Sequence, residues 1–341
     1  MPEAATAPLV AIVGGGTLIG KEVRDVLAGA RLPVRVKLVG ADPSETGALT
    51  EQDGEAVVMT ALDEDNLAGA RVAMLAGSPA SSRLAFQIIS RAARPPALID
   101  LTHAFEDHPQ ARLRAPVLEP ADFLVRPGAV HVVAHPAAIA MGILLSRLHA
   151  AFAIQRTVAH VFEPASERGQ RGVDELKDQT VGLLTFKRFP RAVFDDQLSF
   201  NLLARYGADA PVSLQSIESR LERDLASLLG PSALPMPSVR LIQAPIFHGH
   251  CFSLWVEFEN NPGVAALEKA LACPLIDVRD ASLDAPTNVG FAGQSGLGVG
   301  AVTLDSNQPR ACWLWAVADN LRLLADNALA LLRSLLGEPA A

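Results

Sequence analysis

The chain has 341 residues, 50% of them hydrophobic and 19% charged, with a formal net charge of −8. That balance describes a well-buried globular protein rather than a disordered one, and the length suggests two domains rather than one core. The acidic balance and the lack of any basic run argue against nucleic acid or an anionic membrane as partner.

The first residues, MPEAATAPLVAIVGGG, lack a basic n-region and a cleavable apolar region, so they do not read as a signal peptide. LVAIVG (9–14) is a short β-branched run ending at glycines, and LIGKEVRDVLAG after it has helical spacing. VRVKLVG (34–40), VAMLAG (72–77) and ALIDLT (97–102) read as further strands, and SSRLAFQIISRAAR (81–94) as a helix between the last two. Strands alternating with helices predict a mostly parallel sheet covered on both faces. After about residue 135 the character changes. A helix from Ala137 to about Ala151 precedes a strand-like run, QRTVAHVFEPAS (155–166). SVRLIQAPIFHGHCFSLWVEFE (238–259) has long period-2 stretches with hairpin-like turns, and GVGAVTLD (298–305) is another strand. The fold class expected is therefore α/β, a Rossmann-type dinucleotide-binding domain joined to an α+β domain with a mixed sheet. An apolar helix, NLRLLADNALALLRSLL (320–336), closes the chain, and the alanine-rich tail after Gly337 reads as a frayed end. No apolar stretch reaches the roughly 20 residues that span a bilayer. Three cysteines, Cys251, Cys273 and Cys312, are too few and too scattered for a disulfide framework or a zinc motif, which suits a reducing cytoplasm.

GGGTLIG (14–20) offers Gly14, Gly16 and Gly20 at a strand-to-helix turn, where backbone amides can approach a pyrophosphate. It misses G-x-G-x-x-G, because position 19 is isoleucine. A turn that needs glycine only for its geometry is the bland alternative. Asp42, just past the second strand, is placed to bond a ribose 2′-hydroxyl and repel a 2′-phosphate, favouring NAD over NADP if either binds; an ordinary loop aspartate is the alternative. VVAHPAAIAMG (132–142) has the form of an active-site strand and helix N-terminus, where enzymes often place a cysteine thiolate. Here the positions are Ala137 and Ala138. His248 and His250 share one strand face at i, i+2, a spacing open to a metal, but no third ligand is evident and none is expected. Cys251, facing away from His250, reads as a core thiol.

Five segments in order resemble the aspartate-semialdehyde dehydrogenase family: AIVGGGTLIGKEV (11–23), LIDLTHAF (98–105), QLSFNLLARYG (197–207), PIFHGHCFSLWVEFE (245–259) and WLWAVADNLRLLADNAL (313–329). The resemblance implies a dinucleotide-binding domain over 1–133 completed by 319–341, and a substrate and dimerisation domain over 134–318. It implies reductive dephosphorylation of aspartyl phosphate with NADPH, through a thioester on a cysteine, in dimers or tetramers. The cofactor contacts it implies fall on Gly14, Gly16, Thr17, Leu18, Ile19, Gly20, Asp42, Gly77 and Asn320. Thr17 stands where the family has its middle loop glycine, and the arginine for the 2′-phosphate falls near Pro43. The family's N-P-N-C motif falls on His135-Pro136-Ala137-Ala138, so Ala138 takes the nucleophile's position. The nearby glutamine falls on Glu163, with two small positions becoming Glu167 and Arg168. The phosphate-binding arginine falls on Glu106 and the carboxylate-binding arginine on Gln243, which has neither the charge nor the fork of a guanidinium. Arg240, at an odd offset, points to the other face. His250 keeps the acid/base position and Arg220 replaces a substrate-binding lysine.

Two expectations follow. In the first, the chain is a family paralogue without the family chemistry, with no cofactor or a weak NAD(P) site. It would act as a binding protein, a homodimer or a heteromer with an active paralogue. In the second, it is an NAD(P)-dependent oxidoreductase of changed specificity, without thioester chemistry, that uses Glu163 and His250, with His135 and Glu163 as a candidate acid–base pair.

Overall fold

The computed structural model describes residues 7–52, 54–120, 123, 128–230 and 232–337; the N-terminal stretch before Ala7 and the tail after Gly337 lie outside them. The chain divides into two compact units, Met1–Ala134 with Leu324–Ala341, and His135–Leu323.

The first unit runs β1 (Leu9–Val13), α1 (Leu18–Ala30), β2 (Arg35–Val39), β3 (Leu49–Gln52), β4 (Glu55–Val58), α2 (Glu64–Leu67), β5 (Ala70–Leu75), α3 (Pro79–Ile89), β6 (Ala97–Asp100), β7 (Ala111–Arg114) and β8 (Val130–Val133). Six strands form an all-parallel sheet in the order β2-β1-β5-β6-β8-β7. Central strands buried on both faces read as unbroken apolar runs, which is why β1 and β5 are legible in the sequence. The hairpin β3–β4 and the edge strand β7 are not: LTEQ, EAVV and ARLR are only four residues each, and neither LTEQ nor EAVV buries a residue. Helix α3 starts two residues before the expected position, because Ser78 forms a capping box with Ser81 and Pro79 occupies the first turn. It stops at Ile89, short of the expected 94.

The second unit runs α4 (Pro136–Ala151), β9 (Ile154–Glu163), α5 (Gly169–Leu184), α6 (Leu214–Leu229), β10 (Ser238–Gln243), β11 (His250–Phe258), α7 (Val264–Leu271), β12 (Ile276–Arg279), β13 (Leu297–Leu304) and β14 (Ala311–Ala318), then leads into α8 (Asn320–Leu336). Its sheet has the order β10-β9-β11-β14-β13-β12 and is mixed. The run 238–259 forms two strands on opposite sides of β9: β10 pairs with β9 in parallel, β11 pairs with β9 antiparallel, and residues 244–249 cross the end of β9 between them. The crossing is pinned by Ala244 N–H to Glu163 O (3.0 Å) and Ala165 N–H to Ile246 O (2.8 Å). α4 is apolar on all sides, the mark of a buried helix, and packs against α6 and α7. Along β9, Thr157, Ala159, Val161 and Glu163 are buried, whereas Val158, His160 and Phe162 are half-buried on the other face. That alternation delivers a carboxylate to the end of the covered row.

Candidate functional site

The second unit gathers its polar groups where β9, β10 and β11 meet the start of α4. Strand register sets the arrangement: Gln243 of β10 pairs with Glu163, and on the other side Cys251 pairs with Phe162, which brings His250 beside Glu163. His250 Nε2 lies 3.1 Å from Glu163 Oε2, with both side chains fully buried. Arg168 reaches the other oxygen, Glu163 Oε1, at 3.4 Å. The sequence allowed a pair between His135 and Glu163; their donor atoms come within 4.8 Å, and the imidazole in hydrogen-bond contact with Glu163 is that of His250. His135 is the N-cap of α4, its Nδ1 accepting from Ala137 N–H at 3.2 Å and its own N–H donating to Asp224 Oδ2 at 2.8 Å. Its Nε2 faces Glu167 Oε2 at 3.9 Å. Glu167 Oε1 in turn accepts from Asn320 Nδ2 at 2.8 Å, and Asn320 Oδ1 accepts from Gly249 N–H and Ser166 Oγ.

These contacts push neighbouring groups apart in proton affinity. Burial alone would raise Glu163, but its hydrogen bond to His250 and the charges of His250, Arg168 and Arg220 hold it below the ordinary carboxylate range. Burial and the charge of Glu163 raise Glu167. Burial would lower His250, yet the hydrogen bond to Glu163 and the charges of Glu167, Glu163 and Asp319 raise it. The cluster is thus an ion pair, Glu163 with His250, beside a carboxyl, Glu167, raised above its ordinary range.

The donor atoms of His135, Glu163 and His250 lie within 4.8 Å of one another, a spacing compatible with a metal ion. The group keeps His250 from the expected His248–His250 pair but replaces His248 with His135 and Glu163: Gly249 takes a left-handed φ of 83° and β11 begins only at His250, which breaks the i, i+2 face. The donor chemistry fits a cation poorly. His135 Nδ1 already accepts an amide, which leaves the proton on Nε2, and Arg168 and the raised His250 already neutralise Glu163.

The remaining positions are committed to the fold. Gln243 Oε1 accepts from Tyr206 Oη at 2.6 Å, and its Nε2 donates to Glu163 O and Ala244 O, so both N–H groups and one acceptor site of the amide are engaged. Ala138 is fully buried. Cys251 packs with Phe291 and Val317, and burial pushes its thiol up to about 11. Arg240, exposed, reaches Glu218 at 3.7 Å, on the face away from Gln243. Arg220, half-buried on α6, contributes charge to Glu163.

In the first unit, Gly14, Gly20 and Gly77 are demanded by packing: a Cβ on Gly14 would strike Gly77 backbone, one on Gly20 the Gly14 carbonyl, and one on Gly77 the Ser81 hydroxyl and Ala41. Thr17 caps α1, its Oγ1 accepting from Gly20 N–H at 3.0 Å and lying 2.7 Å from Ala76 O. Leu18 and Ile19 are half-buried in the first turn. Asp42 Oδ1 accepts from Ser44 N–H at 2.9 Å and caps the short turn Pro43–Glu45. Glu106 Oε1 lies 3.4 Å from His103 Nδ1.

Residues 145–323 match the semialdehyde dehydrogenase dimerisation domain. The chain belongs to the aspartate-semialdehyde dehydrogenase family. It is 25% identical to an aspartate-semialdehyde dehydrogenase of Rickettsia bellii over 325 residues, 92% of this chain and 93% of that protein. It is 32% identical to a USG-1 protein homolog of Pseudomonas aeruginosa over 228 residues, 66% of this chain and 67% of that protein. A solved structure of a probable aspartate-semialdehyde dehydrogenase from Pseudomonas aeruginosa superposes with a TM-score of 0.84 at 26% identity, covering 97% of this chain and 99% of that one.

Of the family-like segments, one opens the first unit at the glycine loop, one ends β6, one carries Tyr206, one forms the β10–β11 crossing and one spans β14 and α8. Sequence reasoning missed Tyr206 although it lies inside the third segment, because only the structure reveals that its hydroxyl meets Gln243. It also missed Asp224 and Glu45, which no motif signals.

Proposed function

We propose that this member of the aspartate-semialdehyde dehydrogenase family does not perform thioester-based reductive dephosphorylation and works as a dimeric binding protein. The observation that carries this reading is Ala138: a methyl group, fully buried, at the helix start where the resemblance puts the attacking cysteine. Loss of the nucleophile of a covalent mechanism costs on the order of 10⁶ in rate, about 8 kcal/mol of transition-state stabilisation. The surroundings agree with that reading. The acid/base candidate His250 is held by Glu163, Gln243 is engaged by its neighbours, and Glu106 is an anion where the family has an anion receptor. The dimer would form on the half-buried sheet face of the second unit, where Val158, Trp255 and Trp313 stand in one cross-strand row and His160, Ser253 and Trp315 in the next. Such aromatic rows suit an interface core. A heteromer with an active paralogue would use the same face.

One observation favours a second reading, an enzyme of changed specificity. Glu163 and Glu167 are neighbouring carboxyls with opposite shifts, which is the pattern of an acid–base assignment. The deciding experiment combines titration of NAD and NADP into the purified protein with an assay of phosphate-dependent oxidation of aspartate semialdehyde. The binding-protein reading expects no saturation by either cofactor up to about 5 mM and no turnover. Micromolar affinity for NAD without turnover would favour the second reading, and family-like turnover would sink the first.

A further inference from the structure

We propose that Glu45 is an internal anion that fills the phosphate-receiving side of the glycine loop and so sets the chain's refusal of a dinucleotide; this rests on the reading above that none binds. A dinucleotide on a βαβ unit draws on two sets of donors, the amides at the start of the first helix and the groups just past the second strand. In each set one amide is already used here by an oxygen of the chain itself.

Past β2, the Ala41 N–H donates to Glu45 Oε2 at 2.7 Å. At the start of α1, the Gly20 N–H is taken by Thr17 Oγ1 at 3.0 Å. The carboxylate extends towards the loop: Glu45 Oε1 lies 3.8 Å from where a Cβ on Gly16 would stand. Gly16 differs from Gly14 and Gly20, whose missing side chains are replaced by close backbone; its open side is faced by Glu45 and the Met59 methyl. The side chain is delivered firmly. Asp42 caps the turn, Glu45 N–H donates to Asp42 O at 3.0 Å, and Glu45 Cβ lies 3.1 Å from a Cβ built on Gly40. A phosphate entering this loop would have to displace a carboxylate that mimics it, and would meet like charge if it did not.

The test uses the full chain and NAD and NADP as probes, in wild type, Glu45→Gln and Glu45→Ala, with far-ultraviolet circular dichroism and melting curves to establish folding. Glu45→Gln keeps an oxygen acceptor for Ala41 and removes the charge, so it remains informative if the alanine variant does not fold. The expected result is no saturation of wild type to about 5 mM, with at least a tenfold gain in affinity in Glu45→Gln and a larger one in Glu45→Ala. Folded variants that bind neither cofactor better than a non-binding wild type overturn the role of Glu45 and leave the function reading intact. Micromolar binding by wild type overturns both.

Discussion

The ion pair between Glu163 and His250 is the group in this protein whose removal should be felt most. Each charge is fully buried and is balanced first by the other, 3.1 Å away, with Arg168 3.4 Å from Glu163 adding to the balance. Deleting one partner of a buried pair typically costs about 3–5 kcal/mol, because the other charge is stranded. Glu163→Gln should therefore lower the urea midpoint sharply, and the loss should depend on pH. Glu163, held below its ordinary 4.5, supplies stability that is present above that value and lost as pH falls. His250, raised above 6.5, supplies stability that is complete below 6.5 and lost as pH rises through its folded value. The difference between wild type and Glu163→Gln should thus peak between about pH 5 and 6.5 and shrink on both sides; a difference flat from pH 4 to 9 would contradict the pairing. For the same donors zinc has little to gain. Excess zinc at pH 7 is expected to leave the melting temperature of the wild type unchanged, and a clear rise that is lost in His135→Ala would reverse that expectation. The identities of these residues were legible in the sequence, but the pairing was not. It depends on strand register between residues 87 apart in the chain, which no local pattern encodes.

At the scale of elements, α4 is the informative case. Its sequence declared both its apolar character and its special start, and the structure puts an imidazole cap and Asp224 at that start. Restoring the missing thiol is the natural experiment. In Ala138→Cys the helix N-terminus would favour a thiolate, while burial and the carboxylates Glu163 and Glu167 would oppose it. Inserting a sulfur into a fully buried position also costs about 1–3 kcal/mol of packing. The variant is expected to fold with reduced stability, to react slowly with Ellman's reagent at pH 8, and to show no dehydrogenase activity. Rapid labelling together with turnover would mean that only the nucleophile separates this chain from an active family member. Other elements divide by how much they bury. β1, β5 and β9 were readable because their burial imposes a pattern, whereas β3 and β4 bury no residue and β7, though it alternates, is only four residues long. Helix α6 is a different failure: Leu214, Ile217, Leu221 and Leu225 form a buried helical stripe that the sequence displays plainly.

At the scale of the molecule, the change from a parallel to a mixed sheet was legible, since long alternating strands follow short apolar ones. The period-2 pattern of 238–259 left the pairing open, because a strand pattern does not name its neighbour, and β9 takes the place between β10 and β11. What that mixed sheet exposes sets the last expectation. Its open face carries Val158 opposite Trp255, and Trp255 opposite Trp313, with both indoles donating to Asp305 Oδ2 at 2.8 and 3.0 Å. A row of aromatic side chains held in fixed rotamers loses little freedom on association. Val158 stands beside Trp255 at one end of that row and is half-buried, so Val158→Glu should cost the isolated subunit little while placing a charge within the proposed dimer face. Sedimentation at micromolar concentration is expected to show a dimer for wild type and a monomer for Val158→Glu, with the far-ultraviolet spectrum unchanged. Adding an active aspartate-semialdehyde dehydrogenase subunit then separates the two assemblies: hetero-association that Val158→Glu abolishes assigns the same face to both. A Val158→Glu protein that still sediments as a dimer would move the interface elsewhere on the chain.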